Sequence, residues 1–98
     1  SESELFHAKG RLLMAARSPD PRGASAAYER AVTAARQQHA KRLELRAATR
    51  LAEHQHAIGE TLTDLAHLAS LCDWFGVTSE LPDVARARAL VTAEPNAR

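Results

Sequence analysis

Five histidines, one cysteine and a row of arginines are the residues of this chain whose types and spacing could do chemistry. His54 and His56 stand two apart, so on a helix their rings diverge; an HxxxH spacing would be needed to share one ion from one face. His67 can meet His54 only through tertiary packing. These histidines are therefore expected at the surface or rim, with no metal site. Cys72 falls on the apolar side of its segment and has no obvious basic neighbour to lower its pKa, which predicts a buried structural thiol and not a nucleophile. Arg42, Arg46 and Arg50 recur every four residues and form one basic stripe, which Arg36 and Lys41 extend. Such a stripe can meet an acidic partner or phosphates, or it can be a solvated face balanced by Glu44 and Glu53. Trp74 and Phe75 are adjacent and could anchor a partner, but their size favours burial against the last helix. No catalytic constellation and no cofactor site emerges. The GxxxxGK[ST] pattern of a P-loop is absent.

The elements that must position these residues are helices. The chain has 98 residues, a formal net charge of +1 and 26% charged residues. That length allows one domain with one modest core. That charge is far from the strongly basic balance of a nucleic-acid binder, so nucleic acid is not an expected partner. Apolar residues make up 45% of the chain, yet mean hydropathy is -0.34 because so many are alanine. Alanine, leucine, arginine and glutamate are the strongest helix formers. No apolar run approaches the roughly 18–20 residues of a membrane span. A single cysteine and the absence of a signal-peptide pattern point to a cytoplasmic protein, and the first residue, Ser1, to a piece of a longer one.

Five helices are expected. The first covers about 3–17, with Leu5, Leu12, Leu13 and Ala16 as its apolar stripe and Phe6 at its edge. Ser18 to Gly23, "SPDPRG", breaks it, and Asp20 with Pro21 supplies an N-cap and first helical residue. The second covers about 21–39, with Ala24, Tyr28, Ala31 and Ala35 on its main face. A turn near 39–41 leads to a third over about 42–58. That helix carries two apolar stripes, one of Leu43, Ala47, Leu51 and Ile58 and one of Leu45, Ala48 and Ala52, so it should contact neighbours on two sides. Gly59 fits a left-handed C′ position, and Thr61 with Asp64 resembles a capping box opening a fourth helix over about 61–74. Ser79 and Pro82 open the last helix, over about 80–93, and the tail from Glu94 is expected to fray. The fold class is all-α: a first hairpin over about 3–39, a second over about 42–75 and a closing helix, within one module.

Gly10 on the first helix, with Ala24, Tyr28 and Ala31 on the second, resembles a tetratricopeptide (TPR) repeat. In that motif a small residue lets the two helices approach, and a small–aromatic–small set fills the contact. Ala48, Leu51, Ala52 and Gly59 give a weaker second copy, since Asp64, Leu68 and Leu71 depart from the small–aromatic–small pattern. A narrower resemblance rests on "LFHAKGRLLMA", "KRLELRAATRLA" and "CDWFGVTSELPDVARARAL". Together these look like the C-terminal TPR region of large bacterial signalling ATPases, regulators that often carry a class III adenylate/guanylate cyclase domain. The resemblance implies a terminal module whose cyclase and nucleotide sites lie outside it.

The function expected from these features is protein–protein or domain–domain interaction inside a bacterial signalling or transcriptional regulator, with no catalysis in this chain. The packing residues would be Gly10, Ala24, Tyr28, Ala31, Ala48, Leu51 and Ala52; Arg42, Arg46 and Arg50 would be candidate partner contacts. An exposed apolar edge at the first helix could drive homodimerisation. The alternative is a small-ligand sensor with an effector pocket between hairpins, drawing on Tyr28, Thr49 and Gln55.

Overall fold

A computed structural model describes residues 1–15, 19–76 and 78–93, and among these it holds five helices and no strand. They are α1 (Glu2–Ala15), α2 (Pro21–Gln37), α3 (Lys41–Ala57), α4 (Leu65–Phe75) and α5 (Pro82–Ala93). The positions expected for Ala16, Arg17, Ser18 and the tail from Glu94 lie outside the described residues.

The ends of the helices follow local chemistry. Asp20 caps α2 by accepting a hydrogen bond from the Gly23 amide at 2.9 Å, with Pro21 at the first helical position. That arrangement satisfies one orphan donor and puts proline where its missing N–H costs nothing. The α2–α3 turn is a Schellman motif: His39 N donates to Arg36 O and Ala40 N to Ala35 O, at 3.1 and 3.0 Å. His39 takes the left-handed conformation, φ 54°, that glycine usually supplies there. The same motif closes α3, with Gly59 at φ 77° and the Glu60 amide donating to Gln55 O at 2.9 Å.

Two expectations are corrected here. The fourth helix begins at Leu65 rather than near Thr61, and Asp64, its N-cap, makes no side-chain capping bond. The reason is that the 58–64 segment is held elsewhere. Gln55 donates to Thr63 Oγ1 at 3.1 Å and accepts from its amide at 3.4 Å, and Ser25 Oγ donates to Glu60 at 2.9 Å. The stripe assigned to the first helix is also wrong. Leu5 and Leu12 are 68% and 71% exposed, while Ser3 and Gly10 are the buried residues of α1. Leu13, Met14 and Phe6 are only partly buried, against the edge of the core.

Packing runs in a chain of overlaps. α1 lies on α2, and α3 lies on both; α5 in turn lies on α3 and α4. α3 is thus the central helix, touching every other, and both of its stripes are used. Leu45, Ala47, Ala48, Leu51 and Ala52 join Ala24, Tyr28, Ala31, Val32, Leu68, Leu71, Val84 and Ala87 in one core. Nine residues of α3 are buried, including Glu44, Thr49, His54 and Gln55; these polar groups hold what is distinctive about the molecule.

Candidate functional site

The first polar assembly grows out of the seam between α1 and α2. Ala24 and Ala31 are fully buried, Tyr28 is 6% exposed, and all three face α1 or the core beneath it. The Tyr28 ring lies against Gly10 so closely that a Cβ there would fall 2.8 Å from Tyr28 Cε1. Ser3 Oγ donates to the Ala31 carbonyl at 2.9 Å, a second close approach of the two backbones. Small residues are what allow this: with only hydrogen or one carbon at the contact, the helices approach until side chain meets main chain.

Two imidazoles flank the tyrosine. Its ring centroid is 5.7 Å from His7 on α1 and 5.4 Å from His54 on α3, both tilted. His54 is buried, and its Nε2 donates to the Pro21 carbonyl at 2.9 Å, which fixes the tautomer, since a carbonyl only accepts. The expectation of a rim histidine at 54 is therefore corrected; it lies three residues after Leu51 and seven after Ala47, on the inner face. Burial raises the Tyr28 hydroxyl above its ordinary pKa, opposed by Arg50 and Arg11. Burial also holds His7 below the usual imidazole value, reinforced by the charges of Arg50, Arg11 and Arg46 and opposed by Asp83. His7 Nε2 and Arg50 Nε are buried without a hydrogen-bond partner among the described residues.

The second assembly joins α2, α3 and α4 around a carboxylate. Glu44 is 2% exposed. His67 Nε2 of α4 lies 2.6 Å from its Oε2, a close contact not aligned as a hydrogen bond and an ion pair only when the imidazole is protonated. Arg36 Nε of α2 stands 3.5 Å from the same oxygen, and Lys41 Nζ 3.9 Å from Oε1. One of the two sequence expectations for the arginine stripe has Glu44 as a counter-charge on a solvated face. It is instead on the buried side of α3, in step with Ala48, Leu51 and Gln55 at intervals of four, three and four. That interval was the available signal.

The arginine stripe does not form a free basic surface. Arg46 reaches Asp83 of α5 at 3.7 Å and Arg50 reaches Glu53 at 3.6 Å. Glu53 is also held by Arg86 of α5 in a two-pronged contact, at 2.5 and 3.3 Å. Arg42 alone of the three is exposed, with no ion pair to another described residue. Arg46 and Glu53 therefore fasten α3 to α5, while Arg50 is paired within α3. Trp74 is likewise corrected: it is 63% exposed, edge-on to Phe75, with Lys41 Nζ 5.9 Å from its ring centroid. Cys72 is buried, and burial raises its thiol pKa; Arg88 opposes this, so a basic neighbour does exist.

The larger spaces are open grooves, one of about 490 Å³ along α1 and α2 beside Phe6, Lys9, Leu13, Asp20 and Arg30. Two of the residues expected at an effector pocket are engaged by neighbouring groups. Thr49 donates to the Leu45 carbonyl at 2.7 Å within its own helix, and Gln55 is committed to Thr63. Gln55 and His67 border a crevice of about 20 Å³, space for about one water. A groove of about 310 Å³ lies between α3 and α5, lined by Glu53, His56, Leu62, Arg86 and Leu90. Among the described residues no group of three or more His, Cys, Asp or Glu could hold a metal, and no helix is long and apolar enough to cross a membrane.

The remaining surface feature is the outer side of α1. Leu5, Ala8, Leu12 and Ala15 are all exposed and recur at i, i+3, i+7 and i+10. They stand directly opposite Ser3 and Gly10. A helix that buries its small residues and displays its leucines has its packing face and its hydrophobic face on opposite sides. Comparison of the chain with protein-family models, with curated proteins and with solved structures finds no match.

Proposed function

We propose that this chain is an interaction module of the helical-repeat kind, TPR-like in form, which binds a protein partner or a neighbouring domain and performs no catalysis itself. The observation that carries the reading is the outer face of α1, where two leucines are 68% and 71% exposed opposite the buried Ser3 and Gly10. Contiguous exposed apolar surface is unfavourable in water unless something covers it, and in monomers it marks interaction sites. The overlap of α3 on the α1–α2 pair, and of α5 on the α3–α4 pair, supports a repeat in which each odd helix seats on the preceding hairpin. The resemblance of the "KRLELRAATRLA" and "CDWFGVTSELPDVARARAL" segments supports a place at the end of a larger bacterial regulator.

The buried titratable groups support a structural use. Glu44 and His67 meet inside a helix seam, and His7, Tyr28 and His54 meet inside another. The test is a photo-crosslinking residue placed at Leu12 or, as a control on another exposed helix, at Ser70. Discrete protein adducts from Leu12 and none from Ser70 are expected. Equal capture from both positions would remove the outer face of α1 as the binding surface.

A further inference from the structure

The charges that border the exposed stripe of α1 say which partner fits it. Written as a heptad, Leu5 and Leu12 are a positions and Ala8 and Ala15 are d positions. Glu2 and Lys9 then fall at e, Glu4 and Arg11 at g, and all four are exposed. Each flank of the stripe thus carries an acid in the first turn and a base two turns later. A surface of this kind is complementary to itself when reversed. We infer that α1 binds α1 of a second copy of this chain, antiparallel, about a twofold axis. The inference rests on the interaction-module reading and adds the partner and its geometry.

The pairing rules of an antiparallel helix pair bring e to e and g to g. When Leu5 packs beside Ala8 of the second copy, Glu2 faces Lys9 of that copy and Glu4 faces Arg11, and the twofold axis repeats both pairs. Leucine over alanine lets the axes come to about 8 Å, the close end of helix packing. A twofold contact needs one patch that matches itself; here the Leu5–Ala8 layers repeat about the axis, and Leu12 packs against the first turn of the second copy. A parallel pairing would keep only the two Glu4–Lys9 contacts, leave Glu2 and Arg11 unmatched across the seam, and align the two helix dipoles. The rim ion pairs are solvated and add little affinity, so they set orientation while the leucines supply the attraction. α1 is 14 residues long, about 21 Å at 1.5 Å per residue. So short a helix makes a small interface, and the dimer is of the weak, concentration-dependent class.

Sedimentation velocity across a wide concentration range tests this. The chain should pass from monomer to dimer, and Leu12→Glu should weaken association at least tenfold while helicity by circular dichroism is unchanged. The double variants Glu2→Lys/Glu4→Lys and Lys9→Glu/Arg11→Glu should each self-associate at least tenfold more weakly, and a mixture of the two should dimerise again. Nitroxide labels on an Ala15→Cys variant should sit about 25 Å apart in the antiparallel dimer, from the rise per residue, against about 10 Å in a parallel one. A chain that stays monomeric throughout, or a dimer indifferent to Leu12→Glu, overturns the inference. If the chain is monomeric but Leu12 still crosslinks to a different protein, the inference fails and the interaction reading stands. If Leu12 contacts no protein at all, both fail.

Discussion

Two seams in this molecule join helices by opposite means. The α1–α2 seam is closed by shape: Gly10 under the Tyr28 ring, Ser3 bonded to the Ala31 carbonyl, Ala24 and Ala31 fully buried. The α3–α4 seam is closed by charge: a Glu44 carboxylate 2% exposed, approached by His67, Arg36 and Lys41, and a Gln55 side chain that holds the following loop. The first seam gains mainly from close apolar contact, and the Ser3 hydroxyl that it buries is hydrogen-bonded to the Ala31 carbonyl. The second takes a carboxylate out of water and recovers the cost through three cationic or protonatable neighbours, only one of them from α4. The difference predicts different responses to substitution, salt and pH.

The largest effect is expected at the charged seam. Glu44→Ala removes the one group that Arg36, Lys41 and His67 share and leaves a void in a fully buried position. It should lower stability by about 3 kcal/mol, within the range for breaking a buried ionic group. Glu44→Leu keeps volume and removes the desolvation cost, so it should lie much closer to the parent. Urea midpoints for the two variants decide the matter: equal losses would mean that the carboxylate's ionic contacts, and not the filled volume, hold this seam.

At the shaped seam the probe is one carbon. Gly10→Ala would place a Cβ 2.8 Å from Tyr28 Cε1. Overpacking of that kind costs about 1–3 kcal/mol, against the gain in helix propensity that alanine brings. A net loss of about 1–2 kcal/mol is expected in chemical denaturation, and Gly10→Ala with Tyr28→Leu should recover part of it. A stabilised Gly10→Ala would show that the ring can move away freely, and the close approach would lose its energetic meaning.

The two seams also differ in how far they can be read from sequence. Helical character, the Asp20–Pro21 start of α2 and the Gly59 end of α3 are local, set by residues within one turn. The spacing of Ala24, Tyr28 and Ala31 is local too. On α1, hydrophobicity marks Leu5 and Leu12 for burial, whereas close approach selects Ser3 and Gly10 and leaves those leucines outside; Gly10 is legible through its match to Ala24, Tyr28 and Ala31, and Ser3 is not. Glu44 was misplaced for the complementary reason. A charge was read as solvated, although its position in step with Ala48, Leu51 and Gln55 put it inside. Its partners come from α2 and α4, and no local pattern names them. The start of α4 was misread because Thr63 bonds to Gln55, a contact between segments that propensity does not report.

A smaller effect tests the turn between the seams. His39 sits at φ 54°, where a Cβ is strained and glycine is not. His39→Gly should therefore stabilise the chain by about 0.5–1 kcal/mol, the usual gain when glycine replaces another residue at a left-handed C′ position, reduced by its larger unfolded-state entropy. A rise of a few degrees in Tm is the expected reading. A fall would mean that the His39 ring makes a contribution larger than its backbone strain.

The smallest effect belongs to His7, which sits at the edge of the shaped seam beside Tyr28. Its folded-state pKa lies below the ordinary 6.5, first because of burial and then because of Arg50, Arg11 and Arg46. The unfolded chain therefore binds more protons at this site between the lowered value and 6.5, and stability rises with pH across that window. The contribution is complete above 6.5 and is lost as pH falls through the folded value. Because the ring is only partly buried, the slope should be shallow. His7→Gln removes a titrating group while keeping a polar side chain at that place, so its Tm should change less than the parent's between about pH 7 and pH 5. Raised salt should weaken the share that comes from the arginines and spare the share that comes from burial. Parallel pH curves for parent and variant would mean that His7 protonates as freely folded as unfolded, and that the shaped seam admits water at its rim.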